Sequence, residues 1–476
     1  MVYDTVVITY DTTGPNGPEN VDIKTTLDLV VDAKCLHMVR NVVIDVWYWT
    51  SPFRGLNPVI EAICRAAGKW AGMRKLDLTL HLWGPEEPEL NHPAADREDK
   101  IVSVSSALAA LMPGLREIKF GGFPQTPIDG VLFGQLAGFY ADQLQVFHSS
   151  NLLVVPQDLM FARLRDVKIT GCFSGSLEGK LPRLDPEVIE SLVLQGLAAN
   201  DMWSMFCADS DGCAITFPRL TNLDLEYQPR LVMNLVQLPD ELPWALQFPA
   251  AKRVQISHDG EECPSMENAV FPSRLESLDI SRCLSMLPVF AGRNVHVSRS
   301  LTLSVVFEPD ANNRNIGIAN RMLEAADSCR SRKLVIGGMD AIPLELITCT
   351  ELTHLQLNGS TTADDVMGHI HRQRHLVSLC VDCLTLADVQ SDFSIPECTE
   401  HEPMAPLDTQ IRMLALVGIG QDELPELGTW VLKYLLLRIP TLKSVTAGIV
   451  PVEQIQAFID EYVRWYPHLA NFKLMW

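Results

Sequence analysis

The amino-acid sequence predicts an α/β solenoid, in which a parallel β-sheet lines the concave face and helices cover the convex face. A short apolar motif recurs along almost the whole chain, and amphipathic helical segments lie between many of its copies. The chain also has 476 residues, whereas single hydrophobic cores stop growing at about 250–300 residues. A repeat stack has no such limit, because each unit contacts only its neighbours. The sequence therefore favours one elongated domain over several separate cores.

The repeat motif consists of an apolar residue, two variable residues, a second apolar residue, one variable residue and a third apolar residue. Leu220-Thr-Asn-Leu223-Asp-Leu225 is one of its clearest copies. Sixteen copies are present, and their central apolar positions run from Val42 to Phe472 with a mean spacing of about 29 residues. The clear copies are residues 73–78, 115–120, 164–169, 189–194, 220–225, 275–280, 352–357, 376–381, 411–416 and 469–474, and the weaker ones are 39–44, 144–147, 251–256, 301–303, 334–336 and 442–445.

Each copy of the motif predicts a short strand, because apolar residues at a spacing of two lie on one face of a strand. Parallel strands bury that face only when the return segments cover it, which favours a helix after the strand. Several copies follow a proline by two residues, as in Phe217-Pro-Arg-Leu220, and proline ends a helix and favours an extended segment. Apolar residues at helical spacing predict helices over residues 57–70, 102–112, 131–140, 316–326, 427–439 and 455–465.

The motif resembles the strand segment of leucine-rich repeats, whose period is about 20–29 residues. The resemblance covers almost the whole chain, although the asparagine or cysteine that usually follows the strand is mostly missing. It implies a horseshoe of about sixteen irregular repeats over residues 39–476, preceded by an N-terminal cap at residues 1–38. Variable spacing predicts edge loops, of which the largest are the acidic loop at residues 84–100 and the loop at residues 391–408.

The residues that flank the central apolar position of each copy are expected to point away from the core, because side chains alternate along a strand. They form a mixed polar strip on the predicted concave face, and solenoids use such surfaces to bind proteins. Trp47 and Trp49, after the first strand, and Trp83, after the second, fit either an interface or the packing of the first repeats. The candidate binding residues are Lys75, Asp77, Lys168, Asp224, Glu226, Arg253, Gln255, Asp279, His354 and Gln356.

Composition narrows the classes of partner. The formal net charge of −21 repels phosphate backbones and anionic lipid, so we expect neither nucleic-acid nor membrane-surface binding. It favours a protein partner with a basic contact surface, bound by a monomeric chain. The sequence has no apolar run of about 20 residues and no signal peptide at its start. Twelve dispersed cysteines fit a reducing compartment, for which we expect the cytoplasm, with the nucleus as the alternative.

A search for catalytic and metal-binding motifs predicts no catalytic residue, no cofactor and no metal. Phosphate-binding and dinucleotide-binding glycine motifs are absent. Cys380 and Cys383 have metal-like spacing, but we interpret them as thiols beside a strand. His371 and His375 are four residues apart in a predicted helix, yet arginines beside them oppose metal binding. An enzyme with an unrecognised site in the loops remains as an alternative of another class.

The irregular repeat resembles the repeat region of fungal F-box proteins, in which the stack captures a substrate for a ubiquitin ligase. That family carries an N-terminal helical F-box of about 40 residues, starting near a Leu-Pro pair, and residues 1–41 show no such motif. The first interpretation is therefore a non-catalytic, protein-binding scaffold that uses its concave face. The alternative is a substrate-recognition subunit of an F-box ubiquitin ligase without its F-box.

Overall fold

The structure, a computed structural model, describes residues 4–11, 38–48, 52–67, 70, 72–82, 94–123, 127–150, 159–170, 183–197, 215–227, 246–258, 269–281, 295–304, 324–326, 329–337, 352–385, 404–419, 425–447 and 452–475. It divides into two units, residues 1–251 and residues 252–476. Both units are α/β, and their sheets are parallel throughout the described residues. The predicted α/β class with a parallel sheet is confirmed.

The first unit contains a ladder of eight described strands, which pair in chain order. These strands are β1 (Thr5–Asp11), β2 (Asn41–Tyr48), β3 (Lys75–Leu82), β4 (Glu117–Phe123), β5 (Val146–Ser149), β7 (Asp166–Thr170), β9 (Ser191–Leu197) and β11 (Asn222–Tyr227). Two short ladders accompany it, in which β6 (Met160–Phe161) pairs with β8 (Arg183–Leu184) and β10 (Ile215–Thr216) pairs with β12 (Leu246–Gln247). The described helices of this unit are α1 (Pro52–Ala67), α2 (Ala94–Leu111) and α3 (Pro127–Gly138).

The second unit contains nine described strands, again paired in chain order. They are β13 (Arg253–His258), β14 (Arg274–Ser281), β15 (His296–Ser304), β16 (Lys333–Gly337), β17 (His354–Thr362), β18 (Ser378–Thr385), β19 (Met413–Ile419), β20 (Ser444–Ala447) and β21 (Lys473–Met475). Its described helices are α4 (Ala363–Arg372), α5 (Pro425–Arg438), α6 (Val452–Tyr462) and a 3-10 helix (Pro467–Asn471).

The central apolar positions of the repeat motif pair with one another across neighbouring strands. Within the first unit they form one unbroken column from Val42 on β2 to Leu223 on β11. Within the second unit a similar column runs from Val254 on β13 to Val445 on β20. Side chains of these columns are almost fully buried, so the motif marks the core layer of both ladders.

The last copy of the motif departs from this alignment. Its predicted central residue is Phe472, but the residue that pairs with Val445 is Leu474. The 3-10 helix occupies the residues just before Phe472, whose backbone N–H closes the helix by donating to the carbonyl of Leu469. The strand therefore begins at Lys473, the residue that follows Phe472. Leu474 takes the central position in place of Phe472, so the predicted register of this copy is wrong by two residues.

One backbone arrangement recurs where strands begin. The carbonyl of Arg40 accepts hydrogen bonds from the N–H groups of both Arg74 (2.8 Å) and Lys75 (3.1 Å). The carbonyl of Arg74 does the same for the two residues that open the next strand, Arg116 (2.8 Å) and Glu117 (3.0 Å). These paired bonds fix the starting point of each strand against its predecessor, and we call them the strand-entry bonds.

The prolines ahead of the motif sit in tight turns. In Met112-Pro-Gly-Leu115 the N–H of Leu115 donates to the carbonyl of Met112 (3.4 Å). Proline is favoured at the second position of such a turn, because its fixed φ matches the required backbone. The same type of hydrogen bond closes the turn between Phe217 and Leu220 (3.4 Å). The proline turn therefore comes directly before the residues that begin the strand.

The described helices test the prediction that the segments between strands are helical, for the part of the chain that the structure describes. Helices are confirmed at five of the six predicted stripes, while residues 316–323 of the sixth lie outside the described residues. Apolar side chains of α1 such as Leu56 and Ile63 are fully buried, and α1 packs against β1 and β2. Ahead of β7, β9, β11 and β13 the described return segments instead carry the two-residue strands. The rest of these four return segments lies outside the described residues, so the prediction of a helix after every strand is not tested there.

The two predicted edge loops lie partly outside the described residues. Residues 94–100 of the first loop belong to α2, which begins at Ala94. Residues 84–93 and 391–403 are not described, and residues 404–408 form neither helix nor strand. The cap predicted at residues 1–38 contains β1, which extends the first ladder by one strand.

Candidate functional site

The candidate site is the less buried face of each ladder, here called its open face. Along β2 the side chains alternate strictly between buried and half-buried, as expected for a strand with one face on the core. All ten predicted binding residues lie at open-face positions. Among them Lys168, Arg253 and His354 are exposed, and the half-buried ones are Lys75, Asp77, Asp224, Glu226, Gln255, Asp279 and Gln356.

Charged side chains on the open face of the first unit pair across strands. The Nζ of Lys75 on β3 lies 2.8 Å from the Oε1 of Glu117 on β4, and the Nζ of Lys119 approaches the same carboxylate at 3.9 Å. The hydrogen bond from Lys75 to Glu117 raises the pKa of the lysine. The three side chains therefore hold one another in defined positions, although half-exposed ion pairs add little to stability.

A second cross-strand pair joins β5 and β7. The Nε2 of His148 lies 3.2 Å from the Oδ2 of Asp166. This hydrogen bond lowers the pKa of Asp166, and burial of the carboxylate opposes the shift only in part. A lowered pKa in the folded protein stabilises the fold above the ordinary aspartate pKa, and this stabilisation is lost as the pH falls through the lowered value. The pair is therefore intact at neutral pH and weakens in acid.

An aromatic residue takes part in a third group on this face. The Nε2 of His81 on β3 lies 3.2 Å from the Oδ1 of Asp45 on β2, and the imidazole stacks on the indole of Trp47 with ring centroids 4.2 Å apart. Trp47 is half-buried, whereas its neighbour Tyr48 is fully buried in the core. Trp47 thus lies on the open face, while Trp49 and Trp83 lie outside the described residues.

At the far end of the same ladder the open face is held by uncharged donors. The Nε2 of Gln195 on β9 donates to the Oδ2 of Asp224 on β11 at 2.8 Å. One row nearer the strand entry, the Nδ2 of Asn222 donates to the Oγ of Ser191 at 3.2 Å. Two of the predicted binding residues, Asp224 and Glu226, therefore lie beside a fixed polar network.

The open face of the second unit has a different character, because hydroxyl groups replace most of the charges. Asp279 on β14 accepts a hydrogen bond from the Oγ of Ser281 at 2.7 Å, and its register partners are Gln255 and Thr302. Burial raises the pKa of this carboxyl group, which the Ser281 hydrogen bond offsets only partly. Asp279 is thus a desolvated acid on a face of small polar groups.

The raised pKa of Asp279 predicts that this acid weakens the fold at neutral pH. A folded-state pKa above the unfolded value makes the ionised form unfavourable, and the cost disappears as the pH falls below the ordinary aspartate pKa. We expect Asp279→Asn to raise the free energy of unfolding by roughly 0.5–1 kcal/mol at pH 7. Urea denaturation at pH 7 and pH 4 measures the difference, which should shrink at the lower pH.

Asp77→Asn is the matched control, because Asp77 also lies on an open face but attracts the charge of Lys75. That substitution should leave stability unchanged or slightly lower. A fall in stability for Asp279→Asn at pH 7 would contradict the interpretation of Asp279.

The residues with metal-like spacing are not assembled into a site. Cys380 and Cys383 both lie on β18 as free thiols, and burial raises the pKa of Cys380. His371 is exposed near the end of α4, and His375 lies beyond that helix. Within the described part of the chain, no three metal-binding side chains converge. In the same part of the chain, no helix combines the length and apolar character needed to span a bilayer.

Comparison with known proteins gives no further assignment, since no protein-family model matches the chain and no curated protein matches it.

Several open-face residues were missed in the sequence, although the signal for them was present. Glu117, Lys119, His148 and Gln195 occupy the same alternating positions as the residues that were selected. These residues stand out as site residues only through the side chains that they pair with on neighbouring strands. Which side chains pair depends on the register between the strands, and a single sequence does not specify that register. A more complete selection would have taken every position that flanks a central apolar residue.

Proposed function

We propose that the chain is a non-catalytic protein-binding scaffold, whose two ladders are leucine-rich-repeat stacks that bind a partner through their open faces. The observation that carries this proposal is the row of half-exposed polar side chains, which stay in register over consecutive strands and are held in place by cross-strand pairs. Such pre-organisation reduces the entropy lost on binding. Parallel repeats of this kind present extended surfaces to protein partners.

The charges on the open face of the first unit indicate the chemistry of the partner. Among the open-face positions whose side chains the structure describes there are six acids, but only three lysines and two histidines. The lysines are Lys75, Lys119 and Lys168, and the acids are Asp45, Asp77, Glu117, Asp166, Asp224 and Glu226. With the histidines neutral the face is negative, as is the chain. A partner with a basic contact surface is therefore favoured, and added salt should slow its association.

We further propose that the chain acts as a monomer in the cytoplasm, with the nucleus as the alternative compartment.

The test reverses two charges on the open face. Asp224→Lys together with Glu226→Lys should lower the capture of basic partner proteins at least about tenfold, because like charges facing each other cost several kcal/mol. Capture is measured by quantitative mass spectrometry of proteins retained by the full chain at low and moderate salt. Circular dichroism establishes that the variant is folded, since Asp224 loses its hydrogen bond from Gln195.

Glu453→Lys together with Glu461→Lys is the matched control, because these acids are exposed on the helix α6 and not on a strand of either ladder. The control has the same net charge as the test variant. If both variants lose the same proteins equally, net charge alone explains capture, and the proposal for the open face fails.

A further inference from the structure

Strand β15 contains a bulge that interrupts the regular alternation of the second unit. Leu275 pairs with Val297 and Ser277 pairs with Ser300, so two residues of β15 lie opposite Glu276. Both of these residues, Ser298 and Arg299, are exposed in succession. Bulges redirect side chains and occur often beside functional sites. This one exposes Ser298 and Arg299 at the strand-entry edge of the sheet, and the Ser298 hydroxyl donates to the carbonyl of Leu275 at 3.3 Å.

Basic side chains surround this bulge on three neighbouring strands. We call this group the edge cluster, and its members are Lys252, Arg253, Arg274, His296 and Arg299. Arg274 opens β14 and His296 opens β15, while Lys252 and Arg253 stand at the entry of β13. The strand-entry bonds from Glu276 and Ser277 to the carbonyl of Lys252 hold these strand starts together.

The edge cluster borders a cavity of about 440 Å³. Its lining combines cationic groups with a carboxylate, a hydroxyl group and one apolar side chain, and it consists of Lys252, Arg274, Leu275, Glu276, His296 and Ser298. Ligand sites in proteins have volumes of about 300–1,000 Å³. The cavity is therefore large enough for a small charged group together with the chain that carries it.

The cations of the edge cluster are poorly neutralised. Glu276 lies 3.9 Å from Arg253 and 3.7 Å from Arg299 through the same oxygen, and both arginine side chains are more than half exposed. Among the described residues neither Lys252 nor Arg274 has an ion pair. Among the described side chains of the edge cluster, three arginines and one lysine thus face one carboxylate, in a chain whose net charge is −21. Concentrated positive charge on an acidic protein is an electrostatic footprint for an anion.

We propose that the edge cluster binds a phosphorylated side chain within an acidic segment of a protein partner. Arginine guanidinium groups donate two parallel hydrogen bonds to phosphate oxygens, which makes Arg274 and Arg299 the principal donors. Arg332 and Lys333 are exposed at the entry of the next strand, β16, where acidic residues of the same segment would lie. This assignment goes beyond the proposed function, because it adds a second surface of opposite charge.

The size of the edge cluster favours a single phosphate group over a nucleic acid. Three adjacent strands span about 10 Å at the spacing of a sheet. Strong nucleic-acid binding uses several phosphate contacts along a backbone, for example about 6–10, and the net charge of the remaining chain would repel such a polymer. A phosphorylated side chain needs only one cluster of donors.

The experiment uses the full chain and a fluorescein-labelled peptide with one phosphoserine between aspartates, followed by fluorescence anisotropy. We expect saturable binding that weakens with added salt, and at least about tenfold weaker binding of the unphosphorylated peptide. Arg274→Gln together with Arg299→Gln should weaken binding of the phosphopeptide at least about tenfold, because both principal donors are lost. Inorganic phosphate should compete only weakly.

Arg412→Gln together with Lys443→Gln is the matched control, because both residues are exposed at strand entries of the same unit outside the edge cluster. This variant should bind the phosphopeptide with an affinity within about twofold of that of the unmodified chain.

Absence of binding by the unmodified chain, or equal losses of affinity in the two variants, would overturn the proposal. Inorganic phosphate competing as well as the peptide would assign the site to free phosphate, and tighter binding of a single-stranded oligonucleotide of equal charge would assign it to nucleic acid. Either result overturns the peptide proposal and leaves the open-face proposal untouched.

Discussion

Replacing Leu223 by aspartate is expected to lower the free energy of unfolding by about 4 kcal/mol or more. Leu223 is only 1% exposed, and it lies in the central column of β11, directly beside Leu192 of β9. An aspartate there would be ionised and unpaired inside the core, or would have to bind a proton to avoid the cost. Thermal and urea denaturation followed by circular dichroism measure the loss.

Lys168→Asp is the control for this substitution, because Lys168 is exposed on the open face of β7. It introduces the same side chain into the same ladder and should change stability by less than about 1 kcal/mol. An unchanged thermal midpoint for Leu223→Asp would show that Leu223 is not part of the core, and would remove the basis for the whole alignment of repeats.

Gly122→Ala should have the second largest effect, about 2–4 kcal/mol of lost stability. Gly122 on β4 pairs with Leu80 on β3, and a β-carbon at Gly122 would collide with the backbone carbonyl oxygen of Leu80. Backbone atoms of a paired strand cannot move aside as a flexible side chain does, so the pairing of β3 with β4 must open locally. Urea denaturation of the variant measures the cost.

The adjacent Gly121 provides a matched control in the same strand. A β-carbon at Gly121 would lie 3.2 Å from the hydroxyl oxygen of Thr79, a side-chain atom that can rotate away. Gly121→Ala should therefore cost less than about 1 kcal/mol. Equal stability of the two variants would contradict the close approach of β3 and β4 at Gly122.

The positions of the strands could be predicted from the sequence because one physical requirement repeats. Every strand must place apolar residues such as Leu223 on the core side. The same apolar motif therefore recurs in each strand, even though the number of residues between successive copies varies. The misaligned final copy shows the limit of that signal. Phe472 is apolar and correctly spaced, yet the turn of 3-10 helix before it moves the strand start, and local hydrogen bonding of that kind is not visible in apolar periodicity.

The candidate sites were less accessible to sequence reasoning than the fold. Open-face positions followed from alternation, but pairs such as His148 with Asp166 join residues on different strands and depend on register. The bulge of β15 left a trace, because Val297 and Leu301 are separated by three residues where the motif has two. That extra residue becomes meaningful only when Arg299 is seen beside the cations of the neighbouring strands.

The strand-entry bonds have a consequence for how this protein can change over evolutionary time. They set the start of a strand from the carbonyl of the preceding one, independently of the connection that returns to it. The separation of successive central apolar positions ranges from 20 to 42 residues, yet the columns in each unit remain aligned up to the last copy. Insertions and deletions in a connection therefore leave the spacing of side chains on the open face unchanged, so the open face and the connections around it can diversify separately.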